Sequence, residues 1–227
     1  MLFMKRAQYI TIEGVEGVGK TTQTKLLVET LRSKGYKVLE TKEPGSEHSP
    51  LTMILRKIML DNQYDSQMTV PAREFLSQAI RSVHLERVIV PALYEYDFII
   101  QDRGILSGYA YGHACGNELH NLYTMTLQNL NSADNNKGIF SLVPEHIYDS
   151  VIYLKGNPSK NRDRALTSKQ EFETGDAMES RGNSFIENVS LNMDQMSNRF
   201  NSVRIDVDGR TIEQVHEEIM NSLGLGK

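Results

Sequence analysis

The chain has 227 residues, 39% of them hydrophobic and 24% charged, a balance that excludes a disordered chain. Its 25 Lys and Arg against 29 Asp and Glu leave a net charge of −4, with no basic excess of the kind a nucleic-acid binder carries. The single cysteine, Cys115, excludes an internal disulfide, and no apolar run approaches the roughly 18 residues of a membrane span. The start, Met1 to Arg6, lacks the layout of a signal peptide. The expectation is one cytoplasmic domain over residues 1–227 with no membrane and no nucleic acid as partner.

The first β-rich run is Tyr9–Glu13, and it leads directly into Gly14-Val15-Glu16-Gly17-Val18-Gly19-Lys20-Thr21-Thr22. The spacing is G-x-x-x-x-G-K-T. Glycines let the backbone curl until successive N–H groups point at phosphate oxygens, and the helix that follows adds its positive end. Lys20 supplies a point charge for β- and γ-phosphates, and Thr21 a hydroxyl for magnesium. A helix is predicted over Lys20–Arg32, closed near Gly35.

A second strand, Lys37–Thr41, is followed by Glu43-Pro44-Gly45, a turn by composition. A helix over Pro50–Leu60 has Ser49 as its candidate N-cap. Pro71–Tyr94 reads as one or two helices, kinked or restarted near Pro91. It carries Arg81, which nothing local singles out.

The third strand, Phe98–Gln101, delivers Asp102 and Arg103 to its carboxyl end, where ligands bind in open parallel sheets. Asp102 can hold magnesium, and the planar fork of Arg103 can clamp a phosphate. A helix over Glu118–Asn131, strands at Ser150–Leu154 and Val203–Asp206, and helices at Ser184–Phe200 and Thr211–Leu223 complete the set. Strands alternating with helices predict an α/β fold of the P-loop NTPase type, a parallel five-stranded sheet with helices on both faces. Residues 159–182 are unusually polar and read either as an exposed connection or as a mobile lid over the phosphate site.

Taken together, these motifs resemble the thymidylate kinase family from Tyr9 to about Leu223. The phosphate loop from Ile12 to Gln23, Glu43-Pro44-Gly45, Arg81 ten residues before Pro91, and Asp102-Arg103-Gly104 followed by Ser107 and Ala110-Tyr111 all fall in the family's order. The resemblance implies transfer of the ATP γ-phosphoryl group to thymidine 5′-monophosphate, with Mg²⁺ and a homodimer. It implies that Glu16 meets the sugar 3′-hydroxyl, Arg103 grips the monophosphate, and Arg81 reads the base. Tyr111 would pack under the deoxyribose, with Glu43, Pro44 and Ser107 completing the acceptor site. The loop has no Arg or Lys between Gly14 and Gly19, which resembles a branch of the family in which lid arginines supply the transition-state charge; the resemblance implies Arg162 and Arg164 for that role, with Arg181 behind them.

The chain departs from the family at Ser77, where a base-stacking Phe is usual, at Ala177 and at Lys155. Ser77 keeps open a broad deoxynucleoside monophosphate kinase. A deoxynucleoside kinase would use a carboxylate such as Glu43 as base. A rival of another class is a non-catalytic P-loop switch; a GTPase is disfavoured because Asn136-Lys137-Gly138-Ile139 lacks the aspartate of N-K-x-D.

Overall fold

The computed structural model describes residues 6–135, 143–162 and 176–226. Five strands, β1 (Gln8–Glu13), β2 (Val38–Lys42), β3 (Phe98–Asp102), β4 (Ser150–Lys155) and β5 (Val203–Asp206), form one sheet in the order β2-β3-β1-β4-β5. Every pairing is parallel. The chain runs outward from β1 through β2 back to β3, then crosses to β4 on the opposite side. The order therefore reverses at β1, and the crevice above its carboxyl end is where such sheets bind ligands.

Both faces of the sheet are buried, which explains strands with nearly continuous Ile, Val and Tyr. Ile10, Ile12, Ile100 and Ile152 pack with Leu27 and Leu31 of α1 (Lys20–Ser33) and Ile219 of α9 (Ile212–Ser222). Tyr9, Ile99 and Val151 join a second core with Leu85, Leu106 and Tyr109. Each fully buried aliphatic side chain of this kind contributes about 1.5–3 kcal/mol.

Helix α1 buries Lys20, Gln23, Thr24, Leu27, Val28 and Leu31, one face at helical spacing. It stops where predicted: Gly35 takes φ 90°, and the Tyr36 amide donates to the Leu31 carbonyl at 3.2 Å. Helix α2 (Pro50–Leu60) has Ser49 at its N-cap position, but no side-chain hydrogen bond caps it. Beyond α3 (Asn62–Asp65), α4 (Val70–His84) is capped by the Thr69 hydroxyl, which accepts from the Ala72 amide.

The long stretch predicted around Pro91 stays helical but widens ahead of the proline. A wide π turn spans Leu85–Ile89 before α5 (Val90–Glu95), and opening the helix there relieves the crowding a proline ring imposes on the preceding turn. Helix α7 (Leu119–Asp134) begins one residue later and ends three residues later than predicted. Helix α8 (Asn183–Ser197) starts one residue earlier.

Two helices have no counterpart among those predicted: the single turn α3, and a longer one after β3. Helix α6 (Ile105–Ala114) follows Gly104 and contains Gly108 and Gly112. Each glycine weakens intrinsic helicity by about 1 kcal/mol. Burial of Ile105, Leu106, Tyr109 and Ala110 against the sheet and α8 restores it.

Candidate active site

The loop after β1 and the start of α1 build the first half of the site. Gly14 takes φ 148°, and a Cβ there would lie 2.6 Å from the Leu154 carbonyl oxygen and 2.8 Å from Val18 Cγ1. No side chain fits, and the backbone is free to curl. Gly17 and Gly19 are also left-handed, at φ 70° and 105°. Val15 and Val18 are buried and anchor the loop from below. Helix α1 starts without a side-chain cap and without an acid in its first turn, so its N–H groups face the loop's hollow. Lys20 is buried, and its Nζ donates across the loop to the Val15 carbonyl at 2.7 Å. Thr21 and Thr22 are exposed on the first turn.

The carboxyl end of β3 builds the second half. Thr21 Oγ1 donates to Asp102 Oδ2 at 2.6 Å, while Asp102 Oδ1 is buried with no hydrogen-bond partner among the described residues. A hydroxyl beside a carboxylate with an orphaned oxygen is a fitting donor pair for a hard divalent cation. Arg103 holds φ 66°, an uncommon conformation for a non-glycine residue. Its amide donates to the Ile12 carbonyl at 3.0 Å, and its carbonyl accepts from Gln101 at 2.7 Å. The guanidinium donates to the Gly14 carbonyl at 3.1 Å and lies 5.3 Å from the centre of the Tyr111 ring. A fixed backbone thus hangs a cation over the mouth of the loop.

A cleft runs from Glu16 and Arg103 along α6 to Cys115. Glu43, Pro44, Arg81, Ser107 and Tyr111 all line it, as does Ser77. Arg81 and Glu43 are a buried ion pair at 3.1 Å, with side chains 4% and 5% exposed. His84 Nδ1 sits 3.3 Å from the other Glu43 oxygen. Burial pushes the Glu43 carboxyl up, but Arg81 and His84 outweigh it and hold it below the usual range. A carboxylate so committed is a poor general base.

Asp176 returns to this cleft from a distant part of the chain, with Glu179 beside it. Glu16, Asp176 and Glu179 present carboxylate oxygens within 4.8 Å of one another, a second set of hard oxygen donors. Arg162 donates to Asn183 Oδ1 at 3.0 Å and to the Glu179 carbonyl at 3.2 Å, so it braces that segment. Arg181 lies over the Phe185 ring and 3.5 Å from Asp65. Arg164, and most of the proposed lid, lie outside the described residues, as does Asn136-Lys137-Gly138-Ile139.

Comparison with known proteins is in keeping with this geometry. The family described as Thymidylate kinase matches residues 12–219. A thymidylate kinase of Acholeplasma laidlawii is 32% identical over 216 residues, covering 95% of this chain and 98% of that one. The chain belongs to the thymidylate kinase family. A probable thymidylate kinase of Pyrococcus horikoshii is 41% identical over a shorter 117 residues, 51% of this chain and 56% of the relative. The solved structure of a thymidylate kinase from Ehrlichia chaffeensis superposes with a TM-score of 0.67, covering 96% of this chain and 99% of that one at 22% identity, which speaks for the fold alone.

The structure brings the phosphate loop, Asp102, Arg103, Glu43, Arg81, Ser107 and Tyr111 together around one cleft. Phe75 does not stand in for the missing aromatic at Ser77: its side chain is 63% exposed, away from the cleft. Three further groups shape the site. Glu13 is fully buried at the end of β1, where Ser107 donates to it through both its amide and its hydroxyl. Burial pushes its carboxyl up to about 7 against the pull of Ser107, Arg103 and Lys20. Glu74 lies in the cleft wall seven residues before Arg81, two turns away on the same helix face. Finally, Gly104, Gly108, Gly112 and Gly116 recur at every fourth position. That period was the one sequence signal that marked a bare helix face.

Proposed function

We propose that this protein transfers the γ-phosphoryl group of MgATP to the 5′-phosphate of thymidine 5′-monophosphate, giving the diphosphate on the way to dTTP. The observation that carries the reading is the position of Arg103, at the junction of the phosphate loop and the cleft. Donor and acceptor phosphates would meet under one guanidinium. Family membership supplies the base.

In this reading the loop amides and Lys20 hold the donor's β- and γ-phosphates, and Arg103 aligns the acceptor phosphate for in-line attack. One acceptor oxygen forms the new P–O bond as the bond to ADP breaks. The acceptor is already an anion near neutral pH, so no general base is needed. Thr21 and Asp102 would hold Mg²⁺, which, when bound, neutralises charge on the transferring group. Glu16 would meet the sugar hydroxyl, Tyr111 its ring face, and Arg81 the base. Residues 159–182 would form the lid, with Arg162 and Arg164 adding positive charge on closure and excluding water.

A homodimer and a cytoplasmic location belong to the same proposal. They are supported by family membership and the lone cysteine. No helix among the described residues is long and apolar enough to cross a membrane. A nucleoside kinase is less well supported, because Glu43 is held by Arg81 and His84.

The test is ADP release from MgATP with thymidylate or thymidine as acceptor. Turnover with thymidylate and none with thymidine is expected, and Lys20→Ala should lose at least about 100-fold in kcat. Turnover with thymidine alone, or ADP release indifferent to any acceptor, refutes the proposal.

A further inference from the structure

Helix α6 presents a wall of bare backbone to the cleft. A Cβ on Gly108 would lie 2.5 Å from Arg81 Nη2, and one on Gly112 3.0 Å from Glu74 Oε2. The two glycines are about 6 Å apart along the axis, so the guanidinium and the carboxylate stand side by side against it. Both residues line the cleft, and they are only 3% and 7% exposed.

Each has hydrogen-bonding capacity left over. Arg81 Nε is committed to Glu43, but Nη1 is buried with no hydrogen-bond partner among the described residues. A buried donor in that condition favours any ligand that brings an acceptor. Glu74 Oε1 accepts from Gln78 at 2.7 Å, whereas among the described residues Oε2 has only the Asn117 side-chain amide, at 3.5 Å. A carboxylate offers about four lone-pair sites. Burial pushes the Glu74 carboxyl up, against the opposing pull of Gln78 and Arg81, as expected where donors are scarce.

We propose that Arg81 and Glu74 act as a donor–acceptor pair that reads the lactam edge of the acceptor base, a carbonyl next to a ring N–H, and that the acceptor range therefore includes dGMP as well as dTMP. The proposal rests on the kinase reading above and names its substrate class. Thymine and guanine both present a carbonyl to Arg81 and an N–H to Glu74, and the guanine 2-amino group adds a second donor for the carboxylate. Cytosine and adenine present the reverse: an amino group against the guanidinium and a ring lone pair against the carboxylate. Room for the second ring comes from Ser77, whose short side chain lines the cleft.

The experiment compares kcat/KM for dTMP, dGMP, dCMP and dAMP in the wild type and in Glu74→Gln, with thermal unfolding of both. The wild type is expected to favour dTMP and dGMP over dCMP and dAMP by at least about 100-fold. In Glu74→Gln the amide can turn an N–H toward cytosine N3, so the dTMP-over-dCMP preference should fall about 10-fold or more while Tm holds. A merely structural Glu74 would move Tm and leave that preference alone. Good dTMP turnover without dGMP turnover overturns the proposal, as does equal use of dCMP by the wild type or an unmoved preference in a folded variant. Calorimetric titration of the wild type with dGMP and dCMP reads the same edge without chemistry. It decides the matter if the variant folds poorly or no monophosphate turns over: dGMP binding without dCMP binding supports the pair, and equal binding overturns it.

Discussion

The substitution Glu13→Gln should change how stability depends on pH, and the size of the change follows from the site. Glu13 is fully buried beneath the phosphate loop; Ser107 donates to Oε2, and Oε1 has no hydrogen-bond partner among the described residues. Burial dominates and raises its carboxyl from 4.5 to about 7. Well below 4.5 the folded and unfolded chains both hold the proton. Between about 4.5 and about 7 only the folded chain holds it, so stability falls as pH rises through that window. Above it the loss is complete, and the difference between the two values corresponds to about 3 kcal/mol. The glutamine side chain of the variant does not titrate. Its oxygen can still accept from Ser107, and any cost of burying its NH₂ is the same at every pH. Urea unfolding of both proteins at pH 4.5, 6 and 8 checks the reasoning. The variant should gain about 3 kcal/mol relative to wild type across the series. Parallel stability curves, with a gap constant within about 0.5 kcal/mol, would refute a Glu13 carboxyl raised by burial.

Three further outcomes follow from the geometry. Gly108→Ala places a methyl 2.5 Å from Arg81 Nη2, so the guanidinium must move; KM for the acceptor should rise about 10-fold or more with KM for ATP little changed, as steady-state kinetics will show. Arg81→Met leaves the Glu43 carboxylate buried beside one fewer cation, and denaturant titration should find about 3–5 kcal/mol of stability lost; a loss below about 1 kcal/mol would mean that His84 alone satisfies Glu43. Arg162→Ala should lower kcat more than KM if this arginine closes over the transferring phosphoryl group, whereas an unchanged kcat would leave it only as the brace between Glu179 and Asn183.

The sequence by itself determined the features set by short stretches of chain. The G-x-x-x-x-G-K-T run fixes a phosphate loop because its glycines and the helix start that follows are contiguous, and the loop's conformation needs only those residues. Alternating apolar strands and helices determined a parallel sheet, and Asp102-Arg103 at a strand's end was legible because a strand delivers its last residues to one edge. The order of motifs was enough to place the chain in its family.

Only the tertiary structure decided what depends on partners far along the chain. Local propensity argues against a helix at Ile105–Ala114, and burial between the sheet and α8 overrides it. Glu13 looks like the last residue of a strand until Ser107, 94 residues away, and the surrounding core enclose it. Glu74 and Arg81 are ordinary polar positions on a helix until the glycine face of α6 leaves room for their ends. Composition cannot show such things, because desolvation and hydrogen-bond supply belong to the folded surroundings of a group and not to its neighbours in sequence.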